Sequence, residues 1–311
     1  MIFTLRRDSH TVKIRFFTEK DASNVVKLLN EHYRDSYEFI PYTEEGLLSE
    51  IRERKLQVLI AEEADAIKGL IAYGSGPWGE EIEWLSVQPQ FNSRKVEDLL
   101  VQEVEKLVKG DKVFTVVDAD SPEIQKWIQR GYKVEGGLYH MTAELDVPKP
   151  LPLVPEKAIL RSLRRGEEQE MVDLVNKAYG WERLRLESIK RWKERDPAFS
   201  EEWIHVAEFD GKLVSVVVSR INREYNEYFG GKRGYLGPAA TLPEYQHRGF
   251  ASALTCKAMN FLLDKGMNSV ALYTSETNKA SVPLLKKLGF KISHHWKFLY
   301  KYFSEKSKTN S

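Results

Sequence analysis

One cysteine, Cys256, stands in 311 residues, which excludes an internal disulfide and any cysteine-based metal framework. No apolar run approaches the ~18 residues that would span a bilayer. The opening Met1-Ile2-Phe3-Thr4-Leu5-Arg6-Arg7 has no apolar core followed by a small-residue cleavage site. A cytoplasmic protein with no membrane partner is expected. An excess of one charge is lacking too: 47 Lys and Arg face 46 Asp and Glu, so no basic footprint points to nucleic acid. His294 and His295 have no further ligands at metal-binding spacing, and no metal is expected. Cys256 falls where the spacing predicts a helix, and burial rather than nucleophilic chemistry is the expected role of a thiol there. Lys306 and Lys308 read as a solvated tail.

What the chain does have is repetition. A chain of this length suggests two domains, each with its own core. The segment from Val147 to Pro155 carries four prolines, which remove backbone donors and favour an extended spacer. On either side the same punctuation recurs in the same order. Val25-Val26-Lys27-Leu28-Leu29-Asn30 matches Met171-Val172-Asp173-Leu174-Val175-Asn176, and Val58 to Glu62 matches Ile204 to Glu208 at the same offset. Pro89 to Arg94, which includes Asn92, then matches Pro243 to Arg248, and Arg130-Gly131-Tyr132 matches Leu288-Gly289-Phe290. The expected layout is a domain over 1–146, a linker over 147–156 and a domain over 157–311. Each half reads as strands interleaved with helices, the second with strands over Leu213–Ile221, Tyr235–Thr241 and Ser269–Ser275. Between the last two strands, Leu254, Ala258, Phe261 and Leu262 recur at the spacing of one buried helix face.

Chemistry concentrates between Thr241 and this helix, in Gln246-His247-Arg248-Gly249-Phe250-Ala251. A helix N-terminus presents unpaired N–H groups and the positive end of its dipole, which together suit a phosphate. Gly249 permits an unusual backbone angle, Ala251 keeps the approach open, and His247 and Arg248 add positive character. Downstream stands Asn278-Lys279-Ala280-Ser281-Val282-Pro283-Leu284-Leu285-Lys286-Lys287-Leu288-Gly289-Phe290.

With both motifs in place the second half resembles the GNAT superfamily of acyl-CoA-dependent N-acyltransferases. That superfamily carries [Q/R]-x-x-G-x-[G/A] at the mouth of a long helix and a later K-L-G-F run. The resemblance covers about Ile159 to Phe303, and the first half follows it in pattern only. It implies an α/β (α+β) fold of tandem GNAT domains, each a mixed, mostly antiparallel sheet flanked by helices, in a layout similar to that of mycothiol synthases. It also implies acetyl-CoA as co-substrate and transfer of the acetyl group to a primary amine of a small-molecule or peptide acceptor. Carried over residue by residue, the loop Gln246, His247, Arg248, Gly249, Phe250 and Ala251 with the following Ser252 holds the pyrophosphate. Ala239, Ala240 and Thr241 pair with the pantetheine arm like an added strand. Asn278 reaches the same arm or caps the helix that follows it.

The pattern also breaks. Where many members place a tyrosine that protonates the departing thiolate, this chain has Leu285. The replacement candidates are Tyr273, Ser281 or a water. An amine must lose its proton to attack, and with no carboxylate in Tyr235–Thr241 the nearest base candidate is Glu276. In the first half Lys95, Glu97 and Asn92 occupy the positions of Gly249, Ala251 and Gln246, and Asp120 that of Asn278. That copy reads as degenerate: a structural partner that forms one wall of the acceptor cleft. Tyr179 to Arg183 with Trp192, Glu194 and Asp196 marks the acceptor region, either as a mixed wall suited to a cationic amine or as an amphipathic helix with Trp192 packed inward. Two other functions stay open: an acyl-CoA-binding module without turnover, and a transferase using a non-CoA donor such as aminoacyl-tRNA.

Overall fold

The computed structural model describes residues 12–76, 79–89, 91 and 93–303. Asn92, the first seven residues and the Lys306–Lys308 tail lie outside them. Two compact units emerge, residues 1–137 with 296–311, and residues 138–295.

In the first unit, β1 (Lys13–Phe16), β2 (Gln57–Glu63), β3 (Ala66–Gly76), β4 (Gly79–Val87) and β5 (Lys112–Asp118) form the sheet, with α1 (Ala22–His32), α2 (Glu44–Glu53), α3 (Ser93–Leu107) and α4 (Glu123–Gln129). Pairings are antiparallel except β4 with β5. The period-2 alternation of β2 sends Val58 and Ile60 to the α1/α2 face, and Leu59 and Ala61 to the α3 face. Helices therefore cover both sides.

β6 (Lys133–Glu144) follows, and then the second unit repeats the plan. Its strands are β7 (Ile159–Ser162), β8 (Ile204–Phe209), β9 (Lys212–Ile221), β10 (Arg233–Thr241) and β11 (Ser269–Ser275), and β12 (Lys291–Tyr302) comes last in the chain. Its helices are α5 (Glu168–Tyr179), α6 (Leu186–Arg195), α7 (Arg223–Phe229), α8 (Phe250–Asp264) and α9 (Ser281–Lys287). The strand order and polarity are those of the first unit, again with one parallel pair, β10 with β11.

The boundaries differ from the contiguous 1–146 and 157–311 expected from the prolines. They fall inside β6 and β12: Leu138–Glu144 of β6 pairs with β11, while Trp296–Tyr302 of β12 pairs with β5. Each copy thus receives its last strand from the other half of the chain. A terminal strand with the right alternation satisfies either copy's edge equally well, so sequence pattern does not say which edge it joins. The linker is also no free spacer. Asn260 of α8 accepts the Lys149 N–H at 2.7 Å and donates to the Lys149 carbonyl at 2.9 Å, and Val154 packs against the core.

Duplication extends to polar anchors. In β1, Arg15 bridges Asp21 and Glu62 at 2.8 and 2.7 Å. In β7, Arg161 bridges Glu167 and Glu208, both at 2.7 Å. Asn30 exchanges two hydrogen bonds with the Tyr42 backbone, and Asn176 does the same with Leu184. The Arg15 guanidinium, with the Thr18 N–H, holds the Asp21 carboxyl at about 2, below the ~3.9 of a free aspartate. A depressed folded value stabilises above the unfolded one, and the gain is lost as pH falls from about 4 toward 2. Asp21→Asn is therefore expected to remove about 2 kcal/mol at neutral pH and to flatten the acid limb of a urea-midpoint series between those pH values. An unchanged acid limb would contradict the anchor.

Among the described residues no helix is long and apolar enough to cross a membrane, and no group of three or more His, Cys, Asp or Glu could hold a metal.

Candidate active site

The site begins where two strands part. β10 pairs with β11 only over Arg233–Tyr235, and its register against β9 shifts between Leu236 and Ala239. Beyond that bulge β10 stays with β9 through Thr241, whereas β11 runs against β6 along its whole length. A wedge opens between them, and alternate main-chain groups on that edge of β10 lack a strand partner. It forms a cavity of about 690 Å³, lined on one wall by Leu236–Thr241 and on the other by Leu272, Tyr273 and Thr274. Three side chains steady the first wall: Tyr179 Oη donates to the Ala239 carbonyl at 3.3 Å, Ser215 Oγ to that of Ala240 at 3.0 Å, and Gln246 Nε2 to that of Thr241 at 3.3 Å.

The far end of the cavity is the mouth of α8. The first bond of this turn runs from the Ala253 N–H to the Gly249 carbonyl at 3.0 Å, so the N–H groups of Phe250, Ala251 and Ser252 precede the helical ladder. They and the helix dipole lie at the end of the cavity lined by Gln246, His247, Gly249, Ala251 and Ser252. Gly249 has φ +86°, a left-handed conformation. A Cβ there would lie 2.4 Å from the Leu153 carbonyl oxygen, so the glycine is required by the linker as well as by the turn. The Phe250 ring is buried in the core and contributes its backbone. Arg248 departs from expectation: its guanidinium donates to the Glu244 carbonyl at 3.1 Å, stands over the Tyr245 ring and does not line the cavity.

Asn278 lines the cavity and also caps α9, its Oδ1 accepting the Ser281 N–H at 3.0 Å. Leu285 is buried and lines the same cavity, as does Ser281. Tyr273 is 46% exposed, stacks on buried His140 with centroids 4.7 Å apart, and faces the wedge. Glu276 does not: its carboxylate meets His295 Nε2 at 2.5 Å, and it lines neither this cavity nor the neighbouring one. A carboxylate in the loop after β11 is close in sequence but turned to a different partner.

Two residues went unnoticed in the sequence. Tyr235, just ahead of the bulge, lines the wedge, and burial pushes its phenol above the ordinary value. Opposite it in register on β9 is Arg220, whose guanidinium lies 5.1 Å from the Tyr235 centroid and 5.2 Å from that of Trp192. Only a strand register could have paired them. Both border a second cavity of about 800 Å³ that shares Arg183, Tyr235, Gly237, Pro238 and Tyr273 with the first.

At the corresponding place in the first unit, Lys95 lies inside α3, which is already helical at Ser93. The buried Glu97 carboxylate takes the Arg130 guanidinium at 2.6 Å. An internal ion pair therefore stands where the second unit has an open helix mouth; Asp120 is exposed in a turn. The residues lining both cavities belong to the second unit.

Residues 168–290 match the acetyltransferase (GNAT) family, and the structure shares its fold with solved members. A GCN5-related N-acetyltransferase from Sphaerobacter thermophilus superposes with a TM-score of 0.68 at 18% identity, covering 94% of this chain and 95% of that one. A tandem GNAT protein from the clavulanic acid biosynthesis pathway superposes with a TM-score of 0.65 at 13% identity, covering 95% and 100%. The second unit carries a GNAT domain over these residues, set in a fold shared with a tandem GNAT protein. In sequence it is similar to the mycothiol acetyltransferase of Amycolatopsis mediterranei, 25% identical over 222 residues, which is 68% of this chain and 73% of that protein.

Proposed function

We propose that the second unit transfers an acetyl group from acetyl-CoA to a primary amine by direct attack. The observation that carries this reading is the single cavity joining the open mouth of α8 to the wedge beside the β10 bulge. The helix mouth suits a pyrophosphate, and the unpaired edge of β10 suits an amide-bearing arm added like a strand. When bound, acetyl-CoA supplies the acetyl group as a thioester whose carbonyl the amine attacks with loss of the thiol. N–H groups of the β10 edge stabilise charge on that carbonyl oxygen. Tyr273 Oη donates a proton to the departing sulfur in place of the leucine at 285, while the attacking nitrogen loses its own proton to water. The first unit, with Glu97 paired to Arg130, serves as a scaffold.

Calorimetric titration of acetyl-CoA is expected to give one site per chain, and free CoA thiol is expected to appear only when an amine is present. Tyr273→Phe should lower kcat about a hundredfold with the acetyl-CoA Kd unchanged. Two sites would contradict the scaffold role. One site with no thiol release from any amine would favour a binding module, the reading to which buried Leu285 points.

A further inference from the structure

The second cavity gathers more cations than the sequence of α6 alone suggests. Arg183, Arg191, Arg195, Arg220 and Arg223 all line the second cavity. Against these five stand three carboxylates, Asp196, Glu224 and Glu227, an excess of two positive charges (5 − 3). Asp196 is already engaged by Arg223 at 2.5 Å.

Arg220 is the centre of this arrangement. It is half-buried, and its Nε is fully enclosed without a hydrogen-bond partner. Among the described residues its one polar contact is a 3.5 Å approach of Nη2 to the Gly237 carbonyl. Among the described residues no carboxylate pairs with Arg220, Arg183 or Arg191. Two aromatic faces, Trp192 and Tyr235, hold the guanidinium, but ring quadrupoles compensate a desolvated cation only in part. Burial, with Arg183 and Arg195 nearby, pushes its pKa down, the sign of a charge still lacking its counter-ion. Arg191 and Arg195 project from α6 and Arg183 from the loop before it, so cations surround the opening and would repel a polycationic amine.

We propose that the acceptor amine carries an oxyanion, seated on Arg220 and drawn in by Arg183 and Arg191. The idea rests on the acetyl-transfer reading above, because it takes the shared border at Tyr235, Gly237 and Tyr273 as the place where amine and thioester meet. The planar fork of a guanidinium fits a carboxylate or a phosphate ester with two parallel hydrogen bonds, and Arg220 sits in register with Tyr235, just ahead of the bulge. The amine end then points to the wedge and the acid end to the arginines. Selection of acidic amines follows, because a neutral amine leaves the Arg220 guanidinium without its partner.

The test uses the full chain. CoA release from acetyl-CoA is followed with amines paired to differ by the oxyanion: tyramine and tyrosine, agmatine and arginine, ethanolamine and O-phosphoethanolamine. In parallel, inorganic phosphate is titrated into the wild type, Arg220→Met and Arg191→Gln; differences among the three separate the arginine site from the mouth of α8. The acidic member of at least one pair is expected to exceed its partner tenfold or more in kcat/KM, and Arg220→Met to erase that preference. Phosphate binding should weaken at least tenfold in Arg220→Met and less in Arg191→Gln, an exposed position on α6 that keeps the test open if Arg220→Met misfolds. The acetyl-CoA Kd should stay within twofold throughout. Preference for the bare amines, or phosphate binding that is absent or equal in all three proteins, would overturn the proposal. So would a loss of acetyl-CoA affinity in Arg220→Met, which would assign the guanidinium to the donor's phosphates. If no amine turns over, the phosphate titration decides. If acetyl-CoA itself does not bind the wild type, the transfer reading fails and the anion site is judged by phosphate alone.

Discussion

Gly249→Glu is expected to weaken acetyl-CoA binding more than about a hundredfold, roughly 3 kcal/mol. Three effects act in the same direction. The position has φ +86°, where any side chain costs about 1–2 kcal/mol. Its Cβ would stand 2.4 Å from the Leu153 carbonyl oxygen, and that backbone atom yields only if the linker lifts away from α8. The added carboxylate would then face the N–H groups of Phe250 to Ser252 and occupy the position meant for a phosphate. Because the second effect alone could disturb the fold, Ala251→Glu is the informative companion. Ala251 is half-buried at the cavity edge and already helical, so this variant brings the same charge without the backbone conflict. Calorimetry should show binding lost in both, with the thermal midpoint of Ala251→Glu close to that of the wild type. Gly131→Ala in the first unit, where the nearest atom to a new Cβ is the Lys301 side chain at 3.7 Å, should leave affinity intact. Retained affinity in both glutamate variants would sink the assignment of the helix mouth.

The largest stability effect is expected at Arg161. Its guanidinium, with the side chain 14% exposed, bridges Glu167 and Glu208, which are 20% and 18% exposed. Arg161→Gln leaves the two partly buried carboxylates with only Arg164, 62% exposed and 3.7 and 3.5 Å from them, as a cation, and breaking a buried pair from one side costs about 3–5 kcal/mol. The Arg161 hydrogen bonds hold the Glu167 carboxyl below its ordinary range, so the penalty should shrink on acidification as that carboxyl takes up a proton. The same change at Arg15 should be milder, since that side chain is 36% exposed and solvent screens what remains. Urea midpoints of the two variants at neutral and acid pH would measure the difference. A loss under about 1 kcal/mol for Arg161→Gln would show that the bridge is cosmetic.

These two sites mark what could be read from residues in order. The turn into α8 was legible because its residues are contiguous: Gln246 to Ser252 follow one another, and a glycine before a helix has a local physical meaning. The duplication was legible because it keeps one offset, and the anchors Arg15 with Asp21 and Arg161 with Glu167 obey it although their ionic roles were not recognised. The direction of the Glu276 side chain was not legible, because nearness along the chain does not fix it; the carboxylate turns to His295. The arginines at the acceptor region were not legible together, because Arg220 arrives from β9 and not from α6.

By itself, the sequence determined the two copies, the elements within each and the phosphate-suited loop, since these depend on short-range periodicity and on backbone conformations that one or two residues dictate. Only the tertiary structure decided which sheet edge β6 and β12 complete, where β10 leaves β11, and which charges share a cavity. Those outcomes depend on pairings between residues tens of positions apart, among which hydrophobic alternation alone does not discriminate.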